Sequence, residues 1–559
     1  MNFGQNVRAR SCAGWACRWH GRLARAGCNK TKNDPQTCGY FLLASPARAG
    51  RPCHNARRGA ILITTIWVTV ILGAMLLVFA RSMRVELVTA ANRLDYDQAD
   101  AVELGAEQYV LATCDNTDGE AEYILNQPGE ALQVGSGYFW LLRPSQQNEQ
   151  SYDFGITDEC SKLNLNFTAD GQSPASRDLT INLPGMTTQA ADSIVDWIDT
   201  DENVTGGDGA ESQFYMSLPE PYKCKNQPLE TPEELLLVQG VDQTLLYGID
   251  RNRNGVIEPA ELTQGAAPVT NSNGVSANRG IFPFITVFTA EPNVDLQGNQ
   301  RVDVNPATGG QNTGNSNASS GANKAGNSSG ASPSGAGNRS PQKANGNANA
   351  QGGGSNQNLV QVLSTVLSSS RAQQIASAAQ SRGPFSNIFD FAQKTNMQPQ
   401  EIQLVADKIT FTSQASIPGL INVNTAPREV LLCLPGLQES DVDGLITARQ
   451  SADTSSVAWV AQAMTMSKAA QIGQYITSRS FFYSANIVAV SGDGRSFKRE
   501  YIVVDARQSP AKIIYRKDLT QYGWPLPEDI RTSLRMGRGV GQSWEGMQAP
   551  AQPMLQGPK

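Results

Sequence analysis

The pattern of hydrophobic residues along this chain changes sharply near residue 60. Residues 60–80 read AILITTIWVTVILGAMLLVFA and carry no charge. At about 1.5 Å per residue, a helix of this length extends about 30 Å, which matches the hydrocarbon core of a bilayer. The run therefore predicts one membrane-spanning helix, and the basic residues before it favour a cytoplasmic N-terminus.

The helix is predicted to continue beyond Ala80. Residues 81–112 contain no proline, and their apolar positions recur at steps of three and four residues with Glu, Asp and Arg between them. This pattern predicts a stem over residues 60–112, with a membrane-spanning half and an amphipathic half. An ordinary anchor followed by a loose juxtamembrane helix is the alternative.

Short runs of alternating polar and apolar residues follow the stem. Three of them end in asparagine: Lys162–Asn166, Arg301–Asn305 and Ile421–Asn424. Each run predicts a short half-buried strand, and the closing asparagine favours a turn or a helix cap. Two longer runs, Phe481–Val490 and Phe497–Asp505, are joined by a glycine-containing turn and predict a hairpin that packs against the stem.

A second repeated pattern places a glycine turn before a helical stretch. Leu183–Met186 precedes Thr188–Asp199, Leu434–Leu437 precedes Glu439–Arg449, and Val238–Val241 is a looser copy. A helix, a glycine turn and a second helix form a helix-hairpin-helix-like unit, a type that often contacts the DNA backbone. Acidic residues surround these turns, which favours structural packing over DNA binding.

Charge divides the chain into two parts. The first 59 residues hold eleven Lys or Arg and one acidic residue, Asp34, which leaves 34 basic and 50 acidic residues for the remainder. An acidic body repels phosphate backbones, so no nucleic-acid partner is expected. Both histidines, His20 and His54, lie in the basic segment, and no motif for serine–lysine or carboxylate catalysis occurs. We therefore expect no enzymatic activity.

The cysteines outside the basic segment leave two alternatives open. They are Cys114, Cys160, Cys224 and Cys433. In an oxidising compartment four cysteines allow three disulfide connectivities. Four buried free thiols are the other alternative.

One segment has the spacing of a twelve-residue EF-hand calcium loop. Gly255 stands at the sharp turn, and Ile257 at the position that packs inward. Oxygen ligands fall at the defining positions, from Asp250, Asn252, Asn254, the carbonyl of Val256, Glu258 and the bidentate Glu261. Two neutral ligands predict modest affinity, which suits a structural Ca²⁺ in a calcium-rich exterior. A turn rich in Asn and Gly that holds no ion is the alternative.

A second group of acidic residues offers hard oxygen ligands but has no fixed spacing. Its members are Asp199, Asp201, Glu202, Asp208 and Glu211. A solvated loop is the favoured interpretation, and a second metal site is the alternative.

Arg57-Arg58-Gly59 followed directly by an apolar helix resembles the processing site of type IV pilins and pseudopilins. The resemblance implies cleavage after Gly59 by a prepilin peptidase, with Ala60 as the mature N-terminus. Thr64 occupies the fifth mature position, where the family usually has glutamate. The K-type minor pseudopilins of type II secretion systems commonly lack that glutamate. A leader of 59 residues is long for the family.

Further segments resemble the K type: Asp196–Asp199 (DWID), Phe214–Tyr222, Thr231–Gly240 and Ile421–Leu437 (INVNTAPREVLLCLPGL). The resemblance implies an α+β fold. It would combine a long N-terminal transmembrane and amphipathic helix, a pilin-like sheet and a large inserted α-helical region of the helix-hairpin-helix or SAM-like kind.

Pattern, composition and resemblance together predict eight segments. Residues 308–358, rich in Gly, Asn and Ser, are predicted to be disordered because they cannot bury enough apolar surface. The segments are a cleaved basic leader (1–59), the transmembrane and stem helix (60–112), the first part of a pilin-like head (113–182), a helical insertion with the calcium loop 250–261 (183–307), the disordered insert (308–358), a second helical hairpin region (359–478), the C-terminal strands of the head (479–507) and a tail (508–559).

The resemblance implies a minor pseudopilin at the tip of a type II secretion pseudopilus, which supports fibre assembly and protein export across the outer membrane. It implies other minor pseudopilins, the inner-membrane secretion platform and prepilin peptidase as partners. One helix would anchor the protein in the inner membrane, with its body in the periplasm. A minor type IV pilin or adhesive envelope protein, and a DNA-uptake protein that uses its hairpin turns, are the alternative functions.

Overall fold

A computed structural model describes the chain from residue 58 to residue 540, apart from five internal gaps. The described ranges are 58–115, 119–146, 148–167, 175–262, 276–305 and 354–540. Residues 1–57 of the predicted leader and most of the predicted 308–358 insert lie outside these ranges. The chain divides into two compact units, residues 1–80 and residues 81–559.

Both helices and strands occur in the described ranges. The α-helices are α1 (Arg58–Cys114), α2 (Ala121–Leu125), α3 (Arg177–Thr180), α4 (Thr188–Ile198), α5 (Ser212–Tyr215), α6 (Gln243–Tyr247), α7 (Pro259–Leu262), α8 (Gly354–Val366), α9 (Ser369–Arg382), α10 (Ile388–Thr395), α11 (Pro399–Val405), α12 (Arg428–Leu431), α13 (Glu439–Arg449), α14 (Val460–Ala463), α15 (Met466–Ile472) and α16 (Glu528–Arg535). The strands are β1 (Leu132–Val134), β2 (Gly137–Pro144), β3 (Tyr152–Phe154), β4 (Thr157–Asp158), β5 (Leu163–Asn164), β6 (Ile285–Thr286), β7 (Ala290–Pro292), β8 (Val302–Asp303), β9 (Ile409–Thr410), β10 (Ser416–Pro418), β11 (Ile421–Asn422), β12 (Ile476–Thr477), β13 (Phe482–Val490), β14 (Phe497–Asp505) and β15 (Lys512–Asp518).

Helix α1 covers the predicted stem. Within the described ranges it is the one helix long and apolar enough to cross a membrane, and it contains a stretch with a mean hydropathy of 2.6. Further along, its buried side chains follow steps of three and four residues; they are Ala99, Val102, Ala106, Val110 and Cys114. This face packs against a sheet, so the amphipathic half of the stem is confirmed and the loose alternative does not hold for residues 99–114.

The sheet that packs on this face of α1 has seven strands, all paired antiparallel. Its order is β1-β2-β13-β14-β15, with β3 paired to β2 and β4 paired to β13. The predicted hairpin is confirmed, because β13 pairs with β14 from Phe482 opposite Asp505 to Val490 opposite Phe497. Side chains of the hairpin such as Ile487 and Ile502 share one apolar core with α1.

The tail predicted for residues 508–559 is wrong for its first part. Strand β15 extends the sheet beyond β14, and α16 packs Ile530 and Leu534 near Trp140 on the sheet. The sequence did not indicate β15 because its side chains alternate between exposed and half-buried, with none fully buried. An edge strand of that kind leaves a weak hydrophobic pattern.

The three runs that end in asparagine are confirmed as strands, and each takes part in a two-stranded parallel ladder. Strand β5 pairs with β6, β8 pairs with β9, and β11 pairs with β12. In every ladder the partner strand is an Ile-Thr dipeptide, and helices connect the two strands. The helical part of the chain is therefore built from three similar units, each closed by one short ladder.

The asparagine after each ladder holds its unit closed. The side chain of Asn166 donates to the carbonyls of Leu229 (2.8 Å) and Val287 (3.2 Å), and accepts from the Leu229 amide. Asn305 makes the same three bonds with Phe385 and Phe411. These residues therefore bridge loop segments instead of capping a helix.

Glycine turns lie between short helices, as predicted. Gly185 follows α3 and precedes α4, while Gly436 follows α12 and precedes α13. Gly185, Gly240 and Gly436 have φ angles of +71°, +80° and +77°, a left-handed conformation that favours glycine. The assignment of these helix pairs to the helix-hairpin-helix or SAM-like class stays a prediction. Helix α8 begins at Gly354, so the predicted 308–358 insert extends too far toward the C-terminus.

Candidate functional site

The predicted calcium loop begins after helix α6, which Asp242 caps through its side chain and the Leu245 amide (2.7 Å). Arg253 and Gly255 have φ angles of +54° and +80°, which turn the backbone sharply in the middle of the loop. The predicted inward position is confirmed, because Ile257 is almost completely buried. Among the described residues, the loop is flanked by the five-residue helix α6 and by α7, which is described as far as Leu262, the last residue before a gap.

The carboxylates at the two ends of the loop hold its backbone. Asp250 accepts from the amides of Asn254 (3.1 Å) and Gly255 (2.8 Å). Glu261 accepts from the amides of Arg251 (2.9 Å) and Glu258 (3.1 Å). Burial raises the pKa of Asp250 to about 6, and the charge of Glu261 raises it in the same direction.

The donor set of the loop fits calcium by its chemistry. Three carboxylates, two side-chain amides and the Val256 carbonyl are all oxygen ligands of the kind that Ca²⁺ takes. Asn254 is almost fully buried, and its amide nitrogen lies 3.2 Å from Oε1 of Glu258. Asn252 also donates to that oxygen, over 3.3 Å. The loop therefore brings Asn252, Asn254 and Glu258 together, while Asp250 and Glu261 bind its amides.

A tighter group of acidic side chains lies at the C-terminal end of helix α4. Asp199, Asp201 and Glu211 place carboxylate oxygens within 4.8 Å of one another, and no other described residues form such a group of three carboxylates, thiols or imidazoles. Glu211 is 3% exposed, and both of its buried oxygens lack a hydrogen-bond partner. Unpaired buried carboxylate oxygens are costly, so Glu211 is not the solvated side chain that the favoured interpretation of the sequence expects.

Two buried aspartates near this acidic group were not among the candidate ligands that the sequence indicated. Asp192 and Asp196 lie one helical turn apart on α4, are both fully buried, and each has an oxygen without a hydrogen-bond partner. The loop folds closely onto them: a Cβ at Gly206 or Gly209 would lie 2.2 Å or 2.1 Å from their carboxylates. The signal in the sequence was the i, i+4 spacing of the two aspartates, which puts both on one face of α4.

Burial and the repulsion between neighbouring carboxylates raise the pKa values of this acidic group. Burial raises the pKa of Glu211 to about 7, and the charges of Asp196 and Asp199 add to it. Burial also raises the pKa of Asp199 to about 6, and the negative charge of Asp201 raises it in the same direction. A divalent cation would relieve this repulsion.

The remaining two predicted members point elsewhere. Glu202 accepts from the hydroxyl of Ser212 (3.1 Å), and Asp208 accepts from the hydroxyl of Thr188 (3.4 Å). Both are exposed and lie outside the group of converging oxygens, while the charge of Glu202 also raises the pKa of Glu211.

The four cysteines of the body are buried and form no disulfide among the described residues, which agrees with the second alternative, that of buried thiols. Cys114 lies in the core between α1 and the sheet, and Cys160 in a small cluster with Phe481. Cys224 and Cys433 lie in the core of the helical units. Burial raises the pKa of the Cys114 thiol to about 12, so it is not reactive at neutral pH.

The predicted processing site lies at the start of helix α1. Gly59 and Ala60 fall inside the helix, one and two residues after its first residue, Arg58. The Thr64 hydroxyl donates to the carbonyl of Ile61 (2.9 Å) in the preceding turn. Thr64 therefore satisfies its own polar group within the helix.

Comparison with known proteins matches parts of this chain. Residues 161–250 match the family described as type II secretion system (T2SS), protein K. A stretch of 205 residues is 27% identical to type II secretion system protein K of Pectobacterium carotovorum subsp. carotovorum, which covers 34% of this chain and 61% of that protein. The match thus spans about three fifths of the length of this relative.

One solved structure is also similar. It is the crystal structure of the GspK-GspI-GspJ complex from the enterotoxigenic Escherichia coli type 2 secretion system. The two chains agree with a TM-score of 0.37 and 10% identity, over 77% of this chain and 99% of that chain.

The described residues combine helices and strands, and one of the helices is long and apolar enough to cross a membrane. The protein therefore belongs to the class of α+β proteins with a candidate N-terminal membrane helix. The resemblance to the K-type minor pseudopilins of type II secretion systems, which the sequence predicts, is confirmed by the family match and the Pectobacterium relative.

Proposed function

We propose that this protein is a minor pseudopilin at the tip of a type II secretion pseudopilus, where it supports fibre assembly and protein export across the outer membrane. The match of residues 161–250 to protein K carries the proposal. This range begins at the first ladder and reaches the first residue of the calcium loop, so it covers most of the first helical unit. The proposed partners are other minor pseudopilins, the secretion platform of the inner membrane and prepilin peptidase.

The proposed location is the inner membrane, with a cytoplasmic N-terminus and a periplasmic body. The apolar stretch of α1 provides the anchor, and the basic residues before it favour the cytoplasm by the positive-inside rule. Processing after Gly59 would leave Ala60 as the mature N-terminus.

Thr64 supports a position at the fibre tip. In the family, the glutamate at this position is thought to pair with the N-terminal amine of the next subunit. An unpaired carboxylate inside a bilayer is costly, by about 2.5 kcal/mol at the centre of the bilayer and less near its surface. Thr64 instead bonds the carbonyl of Ile61, so it needs no partner above it.

Fibre counting and labelling test the tip position. Deletion of the gene is expected to reduce the number of fibres without changing the composition of their shafts, and labelled protein is expected at fibre ends. Co-purification with other pseudopilins would support the family assignment. Labels spaced regularly along the shaft would contradict a tip role.

We propose further that both acidic sites bind Ca²⁺ in a structural role. The unpaired, buried oxygens of Glu211 support the site on α4, and the oxygen set of residues 250–261 supports the loop. A ligand that binds only the folded state stabilises it, by about 2.7 kcal/mol at a concentration of 100 times its Kd.

A calcium titration followed by thermal melting tests the site on α4. The melting temperature is expected to rise with calcium, and Glu211→Gln is expected to remove much of that rise. Glu220→Gln is the matched control, because Glu220 is exposed and is neither in the converging group nor among the charges that shift the pKa of Glu211. Equal calcium responses of the two variants would contradict a site at Glu211.

A further inference from the structure

The calcium loop is in contact with the C-terminal arm, defined here as residues 519–540. The amide nitrogen of Asn254 lies 3.0 Å from the carbonyl oxygen of Pro525 and 3.0 Å from the Tyr152 hydroxyl. Tyr152 in turn donates to the Pro525 carbonyl over 2.6 Å. One predicted calcium ligand, a tyrosine of strand β3 and the arm thus share a single hydrogen-bonded cluster.

A buried arginine ties the loop to the arm a second time. Arg499 on β14 is fully buried, and its guanidinium donates to the carbonyls of Asn252 (2.8 Å) and Arg253 (3.1 Å) in the loop. The same guanidinium donates to the carbonyl of Gly523 in the arm (3.3 Å). Hydrogen bonds from a buried charged group are among the stronger ones, so these backbone positions are fixed together.

Aromatic contacts follow the same connection. The guanidinium of Arg253 lies 3.8 Å from the ring centre of Tyr247 and 4.2 Å from that of Tyr522 in the arm. Trp524 packs edge-on against Trp140 of the sheet, with ring centres 6.2 Å apart. Tyr522 thus attaches the arm to the loop and Trp524 attaches it to the sheet, so the loop contributes to the position of the arm.

The arm cannot hold its structure alone. Helix α16 has eight residues, which is too short for a stable isolated helix in water. Its position depends on Leu526, Ile530 and Leu534, which cover Trp140 and Val488 on the sheet. Loss of the contacts at residues 523–525 would therefore favour release of the whole arm.

We propose that calcium binding to the loop and docking of the arm stabilise each other, with Tyr152 and Arg499 as positioning residues that transmit the effect. The inference rests on the proposed calcium loop. An ion held by Asn252 and Asn254 would fix residues 252–254, and these residues contact the arm directly or through Arg499. Coupling of this kind is reciprocal, so the docked arm also tightens calcium binding.

Hydrogen exchange in the full chain, held in detergent, tests whether calcium binding to the loop stabilises the docked arm. Removal of calcium with a chelator is expected to speed amide exchange in residues 526–537 by about fivefold or more, the lower range of coupling between sites. Exchange in β13 is expected to change less. Glu261→Gln with calcium present is expected to reproduce the effect, while Glu211→Gln, which alters the other acidic site, is not.

Calcium affinity tests whether the docked arm tightens calcium binding to the loop. Tyr152→Phe removes one hydroxyl from the cluster and keeps the ring, and is expected to weaken calcium binding at the loop by about fivefold through the same coupling. Tyr123→Phe is the matched control, because Tyr123 is 49% exposed. Calorimetric titration with CaCl₂ gives the affinity of each variant.

The outcomes separate the coupling from the calcium loop itself. One outcome is that Glu261→Gln abolishes one calcium-binding event, while amide exchange in the arm is the same with and without calcium. In that case the loop binds the ion and the proposed coupling is wrong. If Glu261→Gln leaves calcium binding unchanged, the loop proposal and the coupling are both wrong.

Discussion

Glu500 shows how one side chain can make the stability of this protein depend on pH. It lies on β14 beside Glu103 and Glu107 of α1, with its side chain 14% exposed. Burial raises the pKa of Glu500 to about 8, a hydrogen bond with Glu107 and the charges of Glu103 and Glu107 add to this, and Arg516 opposes it. The contact between stem and sheet thus contains a carboxyl group that favours its protonated form.

We expect Glu500→Gln to flatten the pH dependence of stability. A raised pKa contributes stability that is fully present below the unfolded value of about 4.3 and is lost as pH rises through the folded value. The wild-type melting temperature should therefore fall between pH 5 and pH 9 by more than that of the variant. Melting curves across this range check the prediction, with Glu122→Gln at an exposed position as the control.

Asn166 joins backbone segments that are distant in the sequence, which is more than an asparagine at the end of a strand usually does. Its side chain is 3% exposed and makes three hydrogen bonds to backbone groups of two other segments. The sequence pattern showed an asparagine at the end of a strand, which is typical of a turn. Its actual partners come from residues 63 and 121 positions away, so no local pattern identifies them.

We expect Asn166→Ala to lower the free energy of unfolding by about 2–4 kcal/mol, because each buried polar group left unpaired costs about 1–3 kcal/mol. Asn92→Ala, an exposed position on α1, should change it little. Urea unfolding of both variants measures the difference. A loss at Asn166 no larger than at Asn92 would contradict its role in closing the first unit.

At the scale of elements, the glycine turns decide how the short helices meet. Gly240 has a φ of +80°, and a Cβ there would lie 3.2 Å from backbone atoms of Ala190 on α4. Gly444 lies inside helix α13, where a Cβ would meet nothing within 4 Å. The two glycines thus have opposite structural requirements.

The same substitution at these two glycines is expected to have opposite effects. Gly240→Ala should destabilise the protein, since a left-handed conformation alone costs about 1–2 kcal/mol for an L-residue. Gly444→Ala should stabilise it by about 0.5–1 kcal/mol, because alanine loses less conformational entropy in a helix. Urea unfolding of both variants measures the change in the free energy of unfolding. Destabilisation by both substitutions would contradict the prediction that they have opposite effects.

At the scale of the whole molecule, Asp158 connects the sheet to the third helical unit. Its carboxylate accepts from the hydroxyls of Thr425 (2.5 Å) and Ser480 (2.7 Å) and from the side chain of Asn422 (3.2 Å). The predicted division into a head and separate helical regions therefore understates their contact. Buried side chains of α1 such as Val102 and Ala106 also belong to the head, so a soluble fragment should retain residues 99–114.

Processing is a property of the whole precursor, and we expect it to occur after Gly59. Gly59→Arg should leave the precursor uncut, because a charged side chain replaces the small residue at the cleavage position. Gly50→Arg, the same change within the leader, should not prevent cleavage. N-terminal sequencing of each mature protein gives the answer, and a wild-type terminus other than Ala60 would show that the site is misassigned.

The sequence by itself determined the elements whose signals are local. The uncharged run of residues 60–80, the alternation of β13 and β14 and the spacing of Asp250 to Glu261 each depend on neighbouring residues. Periodicity of 3.6 or 2 residues reports burial on one face directly. These predictions therefore placed the stem and the hairpin at nearly the same residues as the structure, while the calcium loop stays a prediction.

Only the tertiary structure decided which distant residues meet. Glu211 lies beside Asp199 and Asp201 because the loop that follows α4 folds back, and the same loop covers Asp192 and Asp196 at Gly206 and Gly209. The arm reaches Asn254 across a separation of 271 residues. Such contacts depend on loop closure and core packing, which are set by the whole chain, so a local pattern does not contain them.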